Sequence, residues 1–236
     1  MSEALSRNTP GVAPETRGPE AFAIKDCALA AIATGRRAQN LKELRTELEA
    51  IDLDSVYYHF WGGLLRPQFD DPRFNNDIAR WVHSALHNTA LAERLSVIDP
   101  TDFADLDDLR QELIEVLEEE LDQSEVLPWT SREAQFHFIR SQIVVFDTHR
   151  IVETPGELPG AIAGMSNGSV FYHFVDARRR TPGGVDDFRS WLMDLPGDYE
   201  ELALSCQSID PFYQTLSELK AELVEVFTRH LGGDVS

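Results

Sequence analysis

Two histidines in matching aromatic segments are the side chains best suited to chemistry. His59 lies in the segment SVYYHF and His173 in SVFYHF, so five of six positions agree. Near neutral pH an imidazole can act as a general base, donate a proton or bind a metal. Asp77 and Asp187 follow the two segments and are natural partners that would fix the tautomer of each imidazole. A buried histidine that is bonded to a carboxylate for structural reasons is more common, and it uses the same four residues.

Aromatic residues accompany both histidines. Tyr58 and Tyr172 directly precede them and could relay protons, whereas Trp81 and Trp191 follow the two aspartates by four residues. Four residues are about one helical turn, a spacing that suits stacking on a sugar ring beside a carboxylate. Burial in the core with the indole N–H on a protein acceptor accounts for the same tryptophans. These four aromatic residues are the candidate ligand-binding set.

Two arginines and two histidines complete the candidates. Arg36 and Arg150 correspond in the two segments, and each is either a salt-bridge partner or a binding group for phosphate or carboxylate. His83 and His87 are four residues apart, a spacing that can bind a transition metal. The second half of the chain lacks the corresponding histidines, so we expect no metal site. Neither a glycine-rich phosphate loop nor GxSxG is present, and the cofactor question stays open.

These matches belong to one internal repeat. The offset is 114 residues as far as the YHF segments and 110 residues after them, where Asp77 and Trp81 match Asp187 and Trp191. Near the end of each copy, residues 106–121 match 216–231 with seven of sixteen identical. Unrelated amphipathic helices would not reproduce these features in the same order. We therefore predict a tail at residues 1–20, unit one at 21–121, a linker at 122–134, unit two at 135–231 and a tail at 232–236.

Local patterns predict mostly helices. Apolar residues spaced by three and four run through 106–121, Asn40 with Glu43 forms a capping box, and Asp77 begins a further helix. Ser55 and Ser169 are expected to cap the helices that carry the histidines. Residues 26–34 favour helix, whereas the corresponding residues 140–148 are β-branched and favour strand. The predicted fold is mainly α, with two homologous helical units in a pseudo-two-fold arrangement and room for a short strand or hairpin in each.

The charge balance limits the partners. Lys and Arg number 21 against 41 Asp and Glu, a net charge of −20, which disfavours nucleic acid and anionic membranes. No apolar run is long enough for a transmembrane helix, and no secretory signal precedes the first unit. Cys27 and Cys206 are too few for a disulfide framework, so a cytoplasmic location is expected. We expect the basic run 178–180 to be a solvated loop and Trp129 to pack between the units.

The order of several motifs along the chain is similar to that of a known family. The order comprises TGRRA at 34–38, SVYYHF, Asn76-Asp77 with Trp81, LAERL at 91–95 and Ile98-Asp99-Pro100. It resembles a prokaryotic family named domain of unknown function 5752, which matches the first unit best and the second in degenerate form. The resemblance implies a cytoplasmic bacterial or archaeal protein of a family without an established activity. It supplies no catalytic residues.

Two functions fit these observations. The first is a small-ligand-binding or protein-interaction module made from the duplicated unit, which the lack of a catalytic signature favours. The alternative is a hydrolase-type enzyme whose acid–base or metal centre combines His59, Asp77, His173 and Asp187. Convergence of these four residues in the fold separates the two functions. The ligand and the oligomeric state stay open.

Overall fold

The described part of the chain is mainly α-helical, with one sheet of two long antiparallel strands. The computed structural model describes residues 21–66, 73–123 and 128–232, so the predicted tails lie outside it except for residue 232. The strands are β1 (Phe22–Ala38) and β2 (Phe136–Val152). The helices are α1 (Leu41–Ala50), α2 (Leu53–Trp61), α3 (Asp77–Ala85), α4 (Thr89–Ser96), α5 (Leu106–Gln123), α6 (Leu158–Ala163), α7 (Asn167–Val170), α8 (Ala177–Arg180), α9 (Asp187–Met193), α10 (Glu200–Gln207) and α11 (Leu216–Leu231). A π-helical segment, Phe171–Asp176, joins α7 to α8, and short 3₁₀ turns lie at Gly62–Leu65, Pro100–Asp102, Arg132–Ala134, Pro155–Glu157 and Pro182–Gly184.

Both segments of ambiguous propensity are strands, and they pair with each other. The ladder runs from Phe22 opposite Val152 to Ala38 opposite Phe136. Each half contains one strand, as the sequence allowed, but each strand has 17 residues and is longer than the expected short strand. The alanine-rich β1 favours helix only by propensity, which is weaker than the main-chain hydrogen bonds that β2 offers along its length.

Two bulges divide this ribbon at corresponding positions. The register shifts beside Ile24 and again between Ala33 and Arg37. Gly35 and His149, 114 residues apart, both have positive φ, at 78° and 56°. Thr34 and Thr148, also 114 residues apart, each donate through Oγ1 to a carbonyl of the opposite strand, at 2.7 and 2.5 Å. The bulges therefore bend the ribbon at both ends, where it meets the helices.

Each strand begins inside the core of the opposite half of the chain. The Phe136 ring of β2 lies 4.7 Å from the His59 ring of α2, between centroids. The Phe22 ring of β1 lies 4.8 Å from the His173 ring. One continuous hydrophobic core includes residues of both strands and of the helices of both halves. The two halves consequently depend on each other for their packing.

Helix starts follow the local sequence in part. Asn40 accepts a hydrogen bond from the Glu43 N–H at 2.9 Å, and α3 begins at Asp77 as predicted. The expected serine caps are wrong, because Asp52 caps α2 and Ser166 caps α7. Ser55 lies inside α2 instead, where its hydroxyl donates to a carbonyl of β2 at 2.8 Å. Ser55 therefore forms a tertiary contact with the strand instead of the helix cap that the local pattern predicts.

The described part of the linker runs over the surface. Trp129 is 64 % exposed, so the expectation that it packs between the halves is wrong. The neighbouring Thr130 N–H donates to the carbonyl of Gln39 at 2.8 Å, which attaches the linker to the end of β1. Across the described residues, no helix has both the length and the hydropathy to cross a membrane.

Candidate functional site

His59 connects a helix to a strand from the other half. Its Nδ1 lies 3.0 Å from Oδ2 of Asp77 at the start of α3. Its Nε2 accepts a hydrogen bond from the Ile139 N–H of β2 at 3.2 Å. Since an accepting Nε2 carries no proton, Nδ1 carries it and donates to the carboxylate. Both nitrogens of this buried ring are therefore bonded to protein groups.

His173 makes the same contacts on the other side. Its Nδ1 lies 2.8 Å from Oδ2 of Asp187 at the start of α9, and its Nε2 accepts from the Lys25 N–H of β1 at 2.8 Å. In each half the imidazole satisfies a main-chain donor that the strand directs away from its partner strand. A main-chain donor without an acceptor is unfavourable when it is buried, and at an exposed strand edge it can pair with a strand of another chain.

The four candidate residues form two separate pairs. Ile139, the strand residue bonded to His59, is opposite Ala33, whereas His173 binds Lys25. Eight residues of extended β1 separate Lys25 from Ala33, a distance of about 26 Å. In the described ranges, no group of three or more His, Cys, Asp and Glu residues could hold a metal ion.

The carboxylate of Asp77 is the centre of a small charge network. It accepts from His59 and lies 3.3 Å from Arg66 and 2.8 Å from Arg80. Burial on its own raises the pKa of Asp77, but the hydrogen bond from His59 and the charges of the two arginines hold that pKa below its ordinary value. The ionised form is therefore the one that the folded protein stabilises.

We expect Asp77→Asn to lower the free energy of unfolding at pH 7. Because the folded-state pKa lies below the unfolded value of about 3.9, the ionised carboxylate stabilises the fold above that value and loses its contribution as the pH falls through the folded-state pKa. The difference between wild type and variant should accordingly shrink below about pH 4. Urea unfolding at several pH values measures it, with the exposed Asp194→Asn as control. A difference that stayed constant down to pH 2 would contradict the network.

The candidate aromatic residues divide between core and rim. Trp81 is buried and donates from Nε1 to the carbonyl of Ala134 at 2.7 Å, and Trp191 is partly buried. The Tyr58 ring lies beneath the guanidinium of Arg66, at 4.8 Å from the centroid. The Tyr172 ring lies beneath the guanidinium of Arg180, at 3.9 Å from the centroid. Each tyrosine face is thus already covered by a cation of the chain.

The candidate arginines bind groups of the protein. Arg36 forms a 2.8 Å ion pair with Glu47 of α1. Arg150 donates to the carbonyl of Gly164 at the end of α6, at 3.1 Å. Both are exposed, and both attach the bulged end of a strand to a neighbouring helix.

A buried carboxylate that the sequence patterns did not single out links the two halves. Asp176 accepts from the Tyr57 hydroxyl of α2 at 3.1 Å and pairs with Arg179 and Arg180 at 3.2 and 2.8 Å. The pKa of Tyr57 is raised well above its ordinary value by burial and by the charge of Asp176. The expectation of a solvated basic loop is wrong, since these arginines lie in α8. The sequence signal that could have pointed to Asp176 was the run of three arginines, which is unusual in so acidic a chain.

The central part of the ribbon is apolar and exposed. We call residues 28–33 of β1 and 143–146 of β2 the ribbon centre, and they include no charged residue. Val144, Val145 and Phe146 are 42 %, 45 % and 50 % exposed. The whole ribbon carries a charge of +3 while the chain carries −20 (Lys25, Arg36, Arg37, Arg140 and Arg150 against Asp26 and Asp147). The ribbon therefore differs from the rest of the surface in both charge and hydropathy.

Comparisons with known proteins give one matching family and one similar solved structure. The solved structure of OrfY from Thermoproteus tenax is similar to this chain, with 30 % identity and a TM-score of 0.79 over 91 % of this chain and 97 % of that one. No curated protein sequence matches the chain. The family model described as "Family of unknown function (DUF5752)" matches residues 19–228. This match spans most of the sequence, and the chain belongs to the family of unknown function DUF5752.

Proposed function

We propose that the chain is a protein-interaction module, made from a duplicated helical unit, that binds a second copy of itself through the ribbon centre. Four contacts that recur in the two halves, at an offset of 114 residues or, for the aspartate, 110 residues, support the duplication. They are the histidine bond to a strand N–H, the bond from that histidine to an aspartate, the threonine bond across the bulge and the insertion of a phenylalanine into the opposite half. A gene that duplicated and fused would give these paired contacts.

The main support for the proposed interaction is the exposed apolar surface of the ribbon centre. Its side chains alternate between the two faces of the ribbon, so the roughly 400 to 500 Å² of apolar surface that they expose is divided between those faces. Packing one face of each copy together would bury about 500 Å² of this surface, so residues around the ribbon centre must supply the rest of a specific interface. The hydrophobic effect then provides the driving force.

Charge and symmetry favour a second copy as the occupant. Outside the ribbon the chain carries −23, so two copies repel each other over most of their surfaces. The uncharged ribbon centre is where they approach with the least repulsion. A two-fold interface places the same patch of each copy against itself, so the uncharged ribbon centre of one copy would meet the uncharged ribbon centre of the other.

The hydrolase-type alternative has less support from the geometry. Both nitrogens of His59 and of His173 are bonded to protein groups, so neither imidazole has a ring nitrogen available for water or substrate. The two pairs are also too far apart to share one reacting atom. These contacts are those of structural histidines.

We expect the wild-type protein to run as a dimer in size-exclusion chromatography with light scattering at tens of micromolar. The double variant Val144→Lys and Phe146→Lys should be a monomer, because two lysines on each copy would be buried without partners. Met193→Lys, at an apolar residue that is 71 % exposed outside the ribbon, is the matched control and should stay dimeric. A wild-type protein that is monomeric up to 100 µM overturns the proposal.

A further inference from the structure

We infer that the outer edge of β2 beside α8 is a second docking site, which accepts an extended acidic peptide by strand addition. This site shares Ile143 and Val145 with the ribbon centre, but it uses main-chain groups at the edge of β2 and three arginines rather than an apolar face. It does not depend on self-association of the chain.

The direction of the main chain shows that this edge is open. In an antiparallel pair, the N–H and C=O groups of alternate residues are directed toward and away from the partner strand. The Ile139 N–H is directed away from β1, since it donates to His59. The same alternation directs Ser141, Ile143 and Val145 outward. At Ser141 the side chain already donates to the Asp54 carbonyl of α2, so the free edge begins at Ile143.

A cavity of about 520 Å³ lies along this edge. Ile143 and Val145 form one wall, and Tyr172 and Arg179 form another. The volume is in the range of ligand-binding clefts. An extended segment in this space would form main-chain hydrogen bonds with β2 and would place alternate side chains toward the helix wall.

Charge in the cavity selects an acidic segment. Arg179 and Arg180 on the helix wall are paired with Asp176, and Arg179 also with Asp54 at 2.8 Å. Arg140, on the strand wall, has no carboxylate within ion-pair distance among the described residues, and its side chain is half-buried in the cavity. A half-buried arginine whose donors are not paired favours a carboxylate that arrives with the ligand.

The corresponding edge of β1 lacks this arrangement. Asp26 stands where β2 has Arg140, and it accepts from the hydroxyl of Ser166, the residue that caps α7, at 2.8 Å. Gly168 approaches the same strand so closely that a Cβ atom there would lie 2.4 Å from the Cys27 carbonyl. A helix covers both strands at this point, since Gly168 beside Cys27 corresponds to Asp54 beside Ser141, and the two edges differ in the charge of Asp26 against that of Arg140. We expect one peptide site in each chain, on β2.

Fluorescence anisotropy with labelled hexapeptides tests the inference. The probes are alternating glutamate and valine, alternating lysine and valine, and the acidic peptide with proline at its two central positions. The acidic peptide should bind at least tenfold more tightly than the basic one, and proline should abolish binding because it removes main-chain donors. Arg140→Ala should weaken the acidic peptide about tenfold, a loss that corresponds to one charge-assisted contact.

The controls separate this site from the dimer and from simple charge attraction. Arg150→Ala removes an arginine of the same strand outside the cavity and should leave peptide binding unchanged. Arg140→Ala should leave the oligomeric state unchanged, so failure of either proposal is visible without the other. Equal binding of the proline peptide, or an Arg140→Ala variant with wild-type affinity, overturns strand addition at this edge.

Discussion

Phe136→Ala is expected to lower the free energy of unfolding by about 4 kcal/mol, and Phe22→Ala by a similar amount. Each ring is buried beside a histidine of the opposite half, so its loss removes apolar contacts and leaves a cavity. Urea unfolding followed by tryptophan fluorescence measures both changes. Ile151→Ala, which truncates a side chain that is 59 % exposed on the same ribbon and outside the ribbon centre, should change the free energy by less than about 1 kcal/mol.

Hydrogen exchange locates the effect. Because β2 enters the core of the first half, Phe136→Ala should reduce amide protection in α2 and α3 more than in α9 and α11. Phe22→Ala should do the reverse. Loss of protection confined to the half that contains the substituted residue would contradict the exchange of strands between the halves.

His59→Ala and His173→Ala are each expected to lower the free energy of unfolding by about 3 kcal/mol. Each substitution leaves a strand N–H and an aspartate without the imidazole that joins them. His137→Ala, at an exposed histidine of β2, should change the free energy by less than about 0.5 kcal/mol. Thermal and urea unfolding of the three variants give the comparison.

Isosteric variants test the role of each ring nitrogen. The oxygen of His59→Gln can accept from the strand N–H in place of Nε2, and the amide of His59→Asn can donate to Asp77 in place of Nδ1. Each variant should recover part of the stability that alanine loses. If the alanine variants kept wild-type stability, the histidines would be free for another role and the hydrolase-type alternative would regain support.

Much of the local structure could be predicted because the interacting groups are close in the chain. The Asn40 side chain caps a helix through a residue three positions later, and Asp77 begins α3 for a similar reason. Apolar spacing in the long helices α5 and α11 is another local property. The recurring histidine was also visible, because the segments SVYYHF and SVFYHF occur 114 residues apart, and an aspartate follows each of them.

Several features depended on contacts between residues about a hundred positions apart. Residues 26–34 have a helical propensity, but β2 is available to pair with them and the sheet forms. The atom that Nε2 of His59 binds belongs to the other half, as does the tyrosine that binds Asp176. Local sequence patterns cannot predict which distant strand or helix will pack against a given side chain.

The sequence by itself determined the helical segments, the acidic charge, the recurring motifs and the side chains capable of chemistry. Only the tertiary structure decided that the four candidate residues form two distant pairs, and that the ribbon centre and the edge of β2 remain open. The physical reason is that propensity and capping act within a few residues, whereas occupation of an imidazole nitrogen or exposure of a strand edge depends on what the rest of the chain places beside it.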